Sequence, residues 1–122
     1  MMTTTLQSPA FRRGDVVLVL FPHSDLRKAK PRPALVVQAD NLNSGLQQVI
    51  VAMITSRLFR SNHPSRVLIK LDTLAGKGSG LLADSVVMTD NLATLAEIAA
   101  ERIIGHLPMK EIDQALKHTL GL

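Results

Sequence analysis

The chain contains no cysteine, no tryptophan and no tyrosine, and its only aromatic residues outside histidine are Phe11, Phe21 and Phe59. Without cysteine there is no disulfide framework, no thiolate nucleophile and no thiolate metal ligand, so a reducing compartment is compatible with the sequence. So few rings exclude a broad platform for stacking bases, and Phe59 alone falls in a loop where a base could reach it. The four histidines, His23, His63, His106 and His118, share no ligand spacing, so neither a metal site nor a cofactor is expected. Long apolar runs are missing too. Val16 to Phe21 and Val49 to Ile54 fall far short of the about 20 residues that cross a bilayer as helix. Met1 to Ala10, with Thr3, Thr4 and Thr5 and no basic or apolar block, reads as a loose tail and not as a signal peptide. A soluble, cytoplasmic protein is the expectation.

What is present suits one globular domain over residues 11–122, behind a flexible tail at 1–10. The chain has 122 residues, 46% of them hydrophobic and 20% charged, which is enough to bury a core. Fourteen Lys and Arg against ten Asp and Glu give a formal net charge of +4, which permits a polyanionic or acidic partner without requiring one.

Arg13-Gly14-Asp15 is a turn signal, and the β-branched and aliphatic run Val16 to Phe21, bounded by Pro22, predicts a strand buried on both faces. Pro22 to Pro31 is polar, mostly basic and aperiodic, as an exposed loop would be. Strands follow at Ala34 to Gln38 and Gln48 to Thr55, linked by Asn41, Asn43, Ser44 and Gly45, so the first three strands form an antiparallel meander. Ser56 to Ser65 is a second basic loop. Arg66 to Leu71 alternates as a half-exposed strand with Val67, Ile69 and Leu71 inward. Gly76 to Gly80 lacks both the spacing of a phosphate-binding loop and a helix after it, so it reads as a flexible turn. Leu81 to Met88 predicts another strand with Asp84 and Ser85 in its middle. From Asn91 to Arg102 two patterns compete, since Leu92, Leu95, Ala99 and Ile103 fit a helical stripe while Ile103 to Leu107 suits a closing strand. Met109, Ile112, Leu116 and Leu120 then lie on one face of an amphipathic helix, with Gly121 as its stop.

The chemistry-bearing stretch is Lys30-Pro31-Arg32-Pro33-Ala34-Leu35-Val36-Val37. Pro31 and Pro33 each fix their own φ and push the preceding residue out of the helical region, so Arg32 stands on stiff, extended backbone. Its guanidinium stays charged and offers a planar fork suited to phosphodiester oxygens. The competing reading is a strand-edge arginine paired with a carboxylate.

Arg13-Gly14-Asp15-Val16-Val17-Leu18-Val19, the basic loop, Arg32-Pro33-Ala34-Leu35-Val36-Val37, Ile50-Val51-Ala52-Met53-Ile54-Thr55-Ser56, Asp84-Ser85-Val86 and Ile104-Gly105-His106-Leu107 occur in one order. In that order they resemble the PemK/MazF family of toxin endoribonucleases. The resemblance implies a mainly β fold, a small SH3-like antiparallel β-barrel with a C-terminal amphipathic helix, and a homodimer. It implies growth inhibition by metal-independent cleavage of single-stranded mRNA through the 2′-hydroxyl, leaving a 2′,3′-cyclic phosphate and a 5′-hydroxyl. It also implies neutralisation by an acidic cognate antitoxin. Arg32 and Thr55 match the family's catalytic pair. Arg27, Lys28, Lys30, Ser56, Arg57 and Ser85 are the candidate RNA contacts, with Arg60 flanking them, and Asp84 or a water is the candidate base. The chain departs from the family where Ser24-Asp25-Leu26-Arg27-Lys28 replaces a Ser-Glu-Gln segment and where Ala83-Asp84-Ser85 replaces an arginine and aspartate. Two rival functions remain: an RNA-binding barrel that does not cut, and a gyrase-directed toxin of the same fold. The ending Leu120-Gly121-Leu122 and the missing tryptophan count against the second.

Overall fold

The computed structural model describes residues 11–20 and 30–122. The expected tail and the first basic loop, with Arg27 and Lys28, lie outside these residues. The described elements are β1 (Asp15–Val19), β2 (Arg32–Val36), β3 (Gln48–Thr55), β4 (Arg66–Ile69), α1 (Leu74–Gly78), β5 (Ser85–Ala96), β6 (Ala100–His106) and α2 (Lys110–Leu120), with single 3₁₀ turns at Leu58–Ser61 and Glu97–Ala99. The strands form one antiparallel sheet in the order β4-β5-β3-β2-β1-β6. The mainly β fold with a C-terminal helix is as expected. Its hydrogen-bonded sheet is open, with β4 and β6 as edges, and encloses apolar residues on each side instead of closing into a barrel. No described helix is long and apolar enough to cross a membrane.

The period-two alternation of strand side chains explains these two cores. Val16 opposes Leu35, and both join Ile54, Val67, Ile69 and Val87 beneath α2. Val17 opposes Ala34, and both join Val19, Val36, Val49, Val51 and Leu95 on the other side. β1 is therefore buried on both faces, and its valines Val16, Val17 and Val19 are each 0% exposed. Burying such a side chain contributes about 1.5–3 kcal/mol each. Helix α2 seats Ile112 and Ala115 in the first core, with Met109 and Leu116 at its margin, while Leu120 lies beyond the core and is exposed. Gly121 ends α2 in the left-handed conformation, φ 72°, with its N–H donating to the Lys117 carbonyl. Arg13 links the helix to the sheet, donating from Nε to the Val37 carbonyl (3.0 Å) and from Nη2 to Asp113 (2.6 Å).

Three expectations change. Asn91 to Arg102 is strand, turn and strand, not helix, because β5 continues against the whole of β3, from Thr55 opposite Val86 to Gln48 opposite Ala96. Leu92 and Ile103, two members of the supposed stripe, are 36% and 48% exposed, so that stripe buries no common face. Residues 81–84 precede β5 instead of opening it, since the Asp84 carboxylate accepts the Leu71 N–H at 2.7 Å and turns the chain there. The glycine cluster is a packed helix and turn. Thr73 caps α1 by accepting the Gly76 N–H at 3.1 Å, and a Cβ on Gly76 would lie 2.0 Å from the Lys70 carbonyl oxygen. Gly76 provides close approach, and Gly80, at φ 73°, takes up the left-handed conformation.

Candidate functional site

A cleft of about 830 Å³ opens where the ends of β2 and β3 meet the turn after β3 and the segment before β5. Pro31 and Arg32 enter it from β2, Thr55, Ser56, Arg57 and Arg60 from the end of β3 and its 3₁₀ turn, and Arg102 from β6. Leu18, Ile54, Leu81, Met88 and Ile104 supply apolar wall, and Gly80, Leu82, Ala83, Ser85 and Asn91 complete much of the rim.

The register brings the two central residues together. Ala34 opposes Met53, and continuing that pairing by two residues sets Arg32 opposite Thr55. The Val37 N–H donates to the Ile50 carbonyl, so the odd-numbered residues of β2 carry the hydrogen bonds toward β3. The recorded pairing ends at Ala34 and Met53, and just beyond it Arg32 and Thr55 both line the cleft. Thr55 Oγ1 accepts the Arg57 N–H at 3.2 Å, which fixes the hydroxyl oxygen and leaves its proton available to a ligand. Arg32 is exposed and enters no ion pair among the described residues.

Electrostatically the cleft has one sign. Arg32, Arg57, Arg60 and Arg102 line it, and no carboxylate or imidazole is among its described lining residues. Arg60 is steered by a contact of its Nη1 with the Met88 sulfur at 3.8 Å. Guanidiniums with no carboxylate partner among the described residues, set over partly apolar walls, form a site for an extended anion.

The remaining sequence candidates are distributed unevenly. Lys30 is exposed beside Pro31 at the mouth but does not line the cleft. Ser85 lines it, yet is 5% exposed and donates its hydroxyl to the Ala83 carbonyl at 2.8 Å, so it offers a ligand only lone pairs. Asp84 is outside the described lining, and its Oδ1 accepts the Leu71 N–H at 2.7 Å. Arg102 was missed because it fell within the supposed helical stripe. Its pairing with Leu18 across β1 and β6 carries it to the cleft, on the same strand face as Ile104.

Fold and site together define a small antiparallel β protein with an arginine-lined cleft for an extended anion. Residues 12–120 match the PemK-like, MazF-like toxins of type II toxin–antitoxin systems. The Endoribonuclease MazF of Staphylococcus saprophyticus is 32% identical over 115 residues, covering 91% of this chain and 92% of that protein. An endoribonuclease structure from a mycobacterial species superposes with a TM-score of 0.67 at 25% identity, covering 93% of each chain. A mycobacterial endoribonuclease in complex with its cognate antitoxin shares the fold at a TM-score of 0.71 and 23% identity, covering 93% of this chain and 97% of that one. The chain belongs to this family and is a MazF-like toxin endoribonuclease of a toxin–antitoxin system.

Proposed function

We propose that the protein cuts single-stranded RNA in the cytoplasm without metal, by attack of a ribose 2′-hydroxyl on the adjacent phosphodiester. The observation carrying this reading is the Arg32–Thr55 juxtaposition in a cleft lined by four arginines and no described acid. RNA brings its own nucleophile, so the protein needs only to align it, stabilise charge and manage protons. The 2′-oxygen forms a bond to phosphorus, the bond from phosphorus to the 5′-oxygen breaks, and the products carry a 2′,3′-cyclic phosphate and a 5′-hydroxyl. Arg32 neutralises charge growing on the non-bridging oxygens, and its proton is held too tightly for it to act as a base at neutral pH. Thr55 donates a hydrogen bond to a non-bridging or leaving oxygen, and the departing 5′-oxygen takes its proton from water. With Asp84 outside the described cleft lining, the 2′-proton departs to water. Arg57, Arg60 and Arg102 hold flanking phosphates, Lys30 guides the strand at the mouth, and Ser56 and Ser85 border the bound nucleotide.

The reading includes a homodimer and an acidic antitoxin segment that folds across Arg32, since a one-sign cleft favours an oppositely charged partner. The test is incubation of purified protein with end-labelled single-stranded RNA in EDTA. Cleavage that persists and leaves 5′ ends that polynucleotide kinase labels without prior phosphatase treatment is expected. Failure to cut, products with 5′-phosphates, or an Arg32→Ala variant as fast as wild type would overturn the proposal.

A further inference from the structure

The 3₁₀ turn Leu58–Ser61 carries a feature that the phosphate contacts leave unused. Side chains three residues apart eclipse in a 3₁₀ turn, and the Arg60 N–H donates to the Arg57 carbonyl at 3.1 Å, so Arg57 and Arg60 stack toward the same cleft. Phe59, which does not line the cleft, is 78% exposed. Its ring is not isolated, because the Arg60 guanidinium carbon lies 5.8 Å from the ring centroid, within cation–π range. The turn is held in place from behind. Arg66 donates from Nη1 to the Arg60 carbonyl at 3.3 Å and pairs with Asp90 at 2.9 Å. The other described phenylalanine, Phe11, packs against the second core and is only partly exposed.

From this arrangement, and resting on the RNA-cleavage reading above, we infer that Phe59 and Arg60 form a stacking shelf for one unpaired nucleobase beside the cleft, while Arg57 and Arg60 hold the phosphates next to it. A flat ring backed by a guanidinium on a braced turn presents a π face to whatever follows the backbone out of the cleft. Every base has such a face, so the shelf adds affinity with little sequence preference, and any preference follows stacking strength. The occupant is a nucleobase because, on the proposed function, the adjoining guanidiniums hold the phosphates of an RNA strand whose bases must leave the cleft beside Phe59.

The experiment compares Phe59→Ala, Phe59→Leu and Phe59→Tyr in cleavage of single-stranded RNA, together with quenching of 2-aminopurine placed at successive positions of the oligonucleotide. Phe59→Ala is expected to raise KM about 10-fold with kcat within twofold, a typical loss for one stacked base. Phe59→Tyr should restore KM and Phe59→Leu should not, because leucine supplies apolar area without a π face. Quenching should centre on one position and vanish in Phe59→Ala. Wild-type KM in Phe59→Ala, rescue by leucine equal to that by tyrosine, or a change in oligomeric mass in light scattering that places the ring between copies of the chain would overturn the inference. In each of these outcomes the wild-type protein still cuts RNA, whereas a wild-type protein that does not cut overturns the underlying reading instead.

Discussion

Thr55→Val is the sharpest single perturbation of the site. Valine keeps the β-branched shape and strand preference of threonine and removes only the hydroxyl. Thr55 is partly exposed, and the one described contact of its Oγ1 is acceptance of the Arg57 N–H at 3.2 Å. That N–H belongs to an exposed residue and turns to water when the acceptor is lost, so the cost to stability is at most about 1 kcal/mol. A donor aimed at charge developing in the transition state is worth much more. Its removal costs about 2.7–4 kcal/mol of barrier, or about 10²- to 10³-fold in kcat. The assay is single-turnover cleavage of labelled RNA, run beside urea denaturation of the same preparation. A rate loss of that size with a nearly unchanged midpoint is expected, and Thr55→Ser should recover most of the rate. If Thr55→Val cut within about threefold of wild type, the hydroxyl would have no part in the chemistry and Thr55 would be a strand residue chosen for its shape.

Arg60→Gln should lower the slope of log affinity against log salt by about 0.7, the value for one contact to a single-stranded backbone, in a titration of RNA binding. Gly105→Ala should destabilise the fold by about 1–3 kcal/mol or somewhat more, read as a lowered Tm, because its Cβ would lie 2.2 Å from backbone atoms of Ser79, which have little freedom to yield. The hydrogen bond from Arg66, outweighing desolvation, holds the Asp90 carboxyl below the usual aspartate range. A carboxyl depressed on folding adds stability above its unfolded pKa of about 3.9 and loses it as pH falls through its lower folded value. Asp90→Asn should therefore lessen the decline of the urea midpoint below about pH 4, by less than about 1 kcal/mol because the pair is partly exposed.

The parts of the fold legible in the sequence are those whose burial is continuous. Val16 to Val19 and Val49 to Ile54 are uninterrupted apolar runs, and α2 carries its own stop in Gly121. The edge of the sheet was harder to read. The second half of β5 and the start of β6 have only Leu95 and Ala100 fully buried, so spacing alone matched a helix as well as a strand, and the decision rests with β3 and β1, distant in sequence. The same non-local pairing hid Arg102. The glycines at Gly80 and Gly105 were opaque for a related reason, because what forbids a side chain there is another segment, Ile104 for the first and Ser79 for the second. By contrast Arg32 and Thr55 were readable as residues, but that they share one cleft follows from the β2–β3 register.

That register also accounts for the cleft opening where it does. β2 is a central strand, an unusual place for proline, since a missing N–H breaks a ladder bond. The Val37 N–H points to β3, so the backbone nitrogen at 33 points the same way, toward the Ile54 carbonyl, and Pro33 has no hydrogen to give it. The β2–β3 ladder accordingly stops at Ala34 and Met53, one residue short of Pro33 and two short of Arg32. Below that point the strands are locked by hydrogen bonds and two apolar cores. Beyond it β2 is no longer paired with β3, while Pro33 and Arg32 still pair with Leu18 and Val19 of β1. The two prolines thus act on the site twice, by stiffening the mount of a guanidinium and by ending the ladder so that the guanidinium and the Thr55 hydroxyl face a shared opening. A non-proline residue at position 33 would supply the missing donor and let the ladder extend toward Arg32, at the part of the cleft where the proposed function puts the phosphodiester.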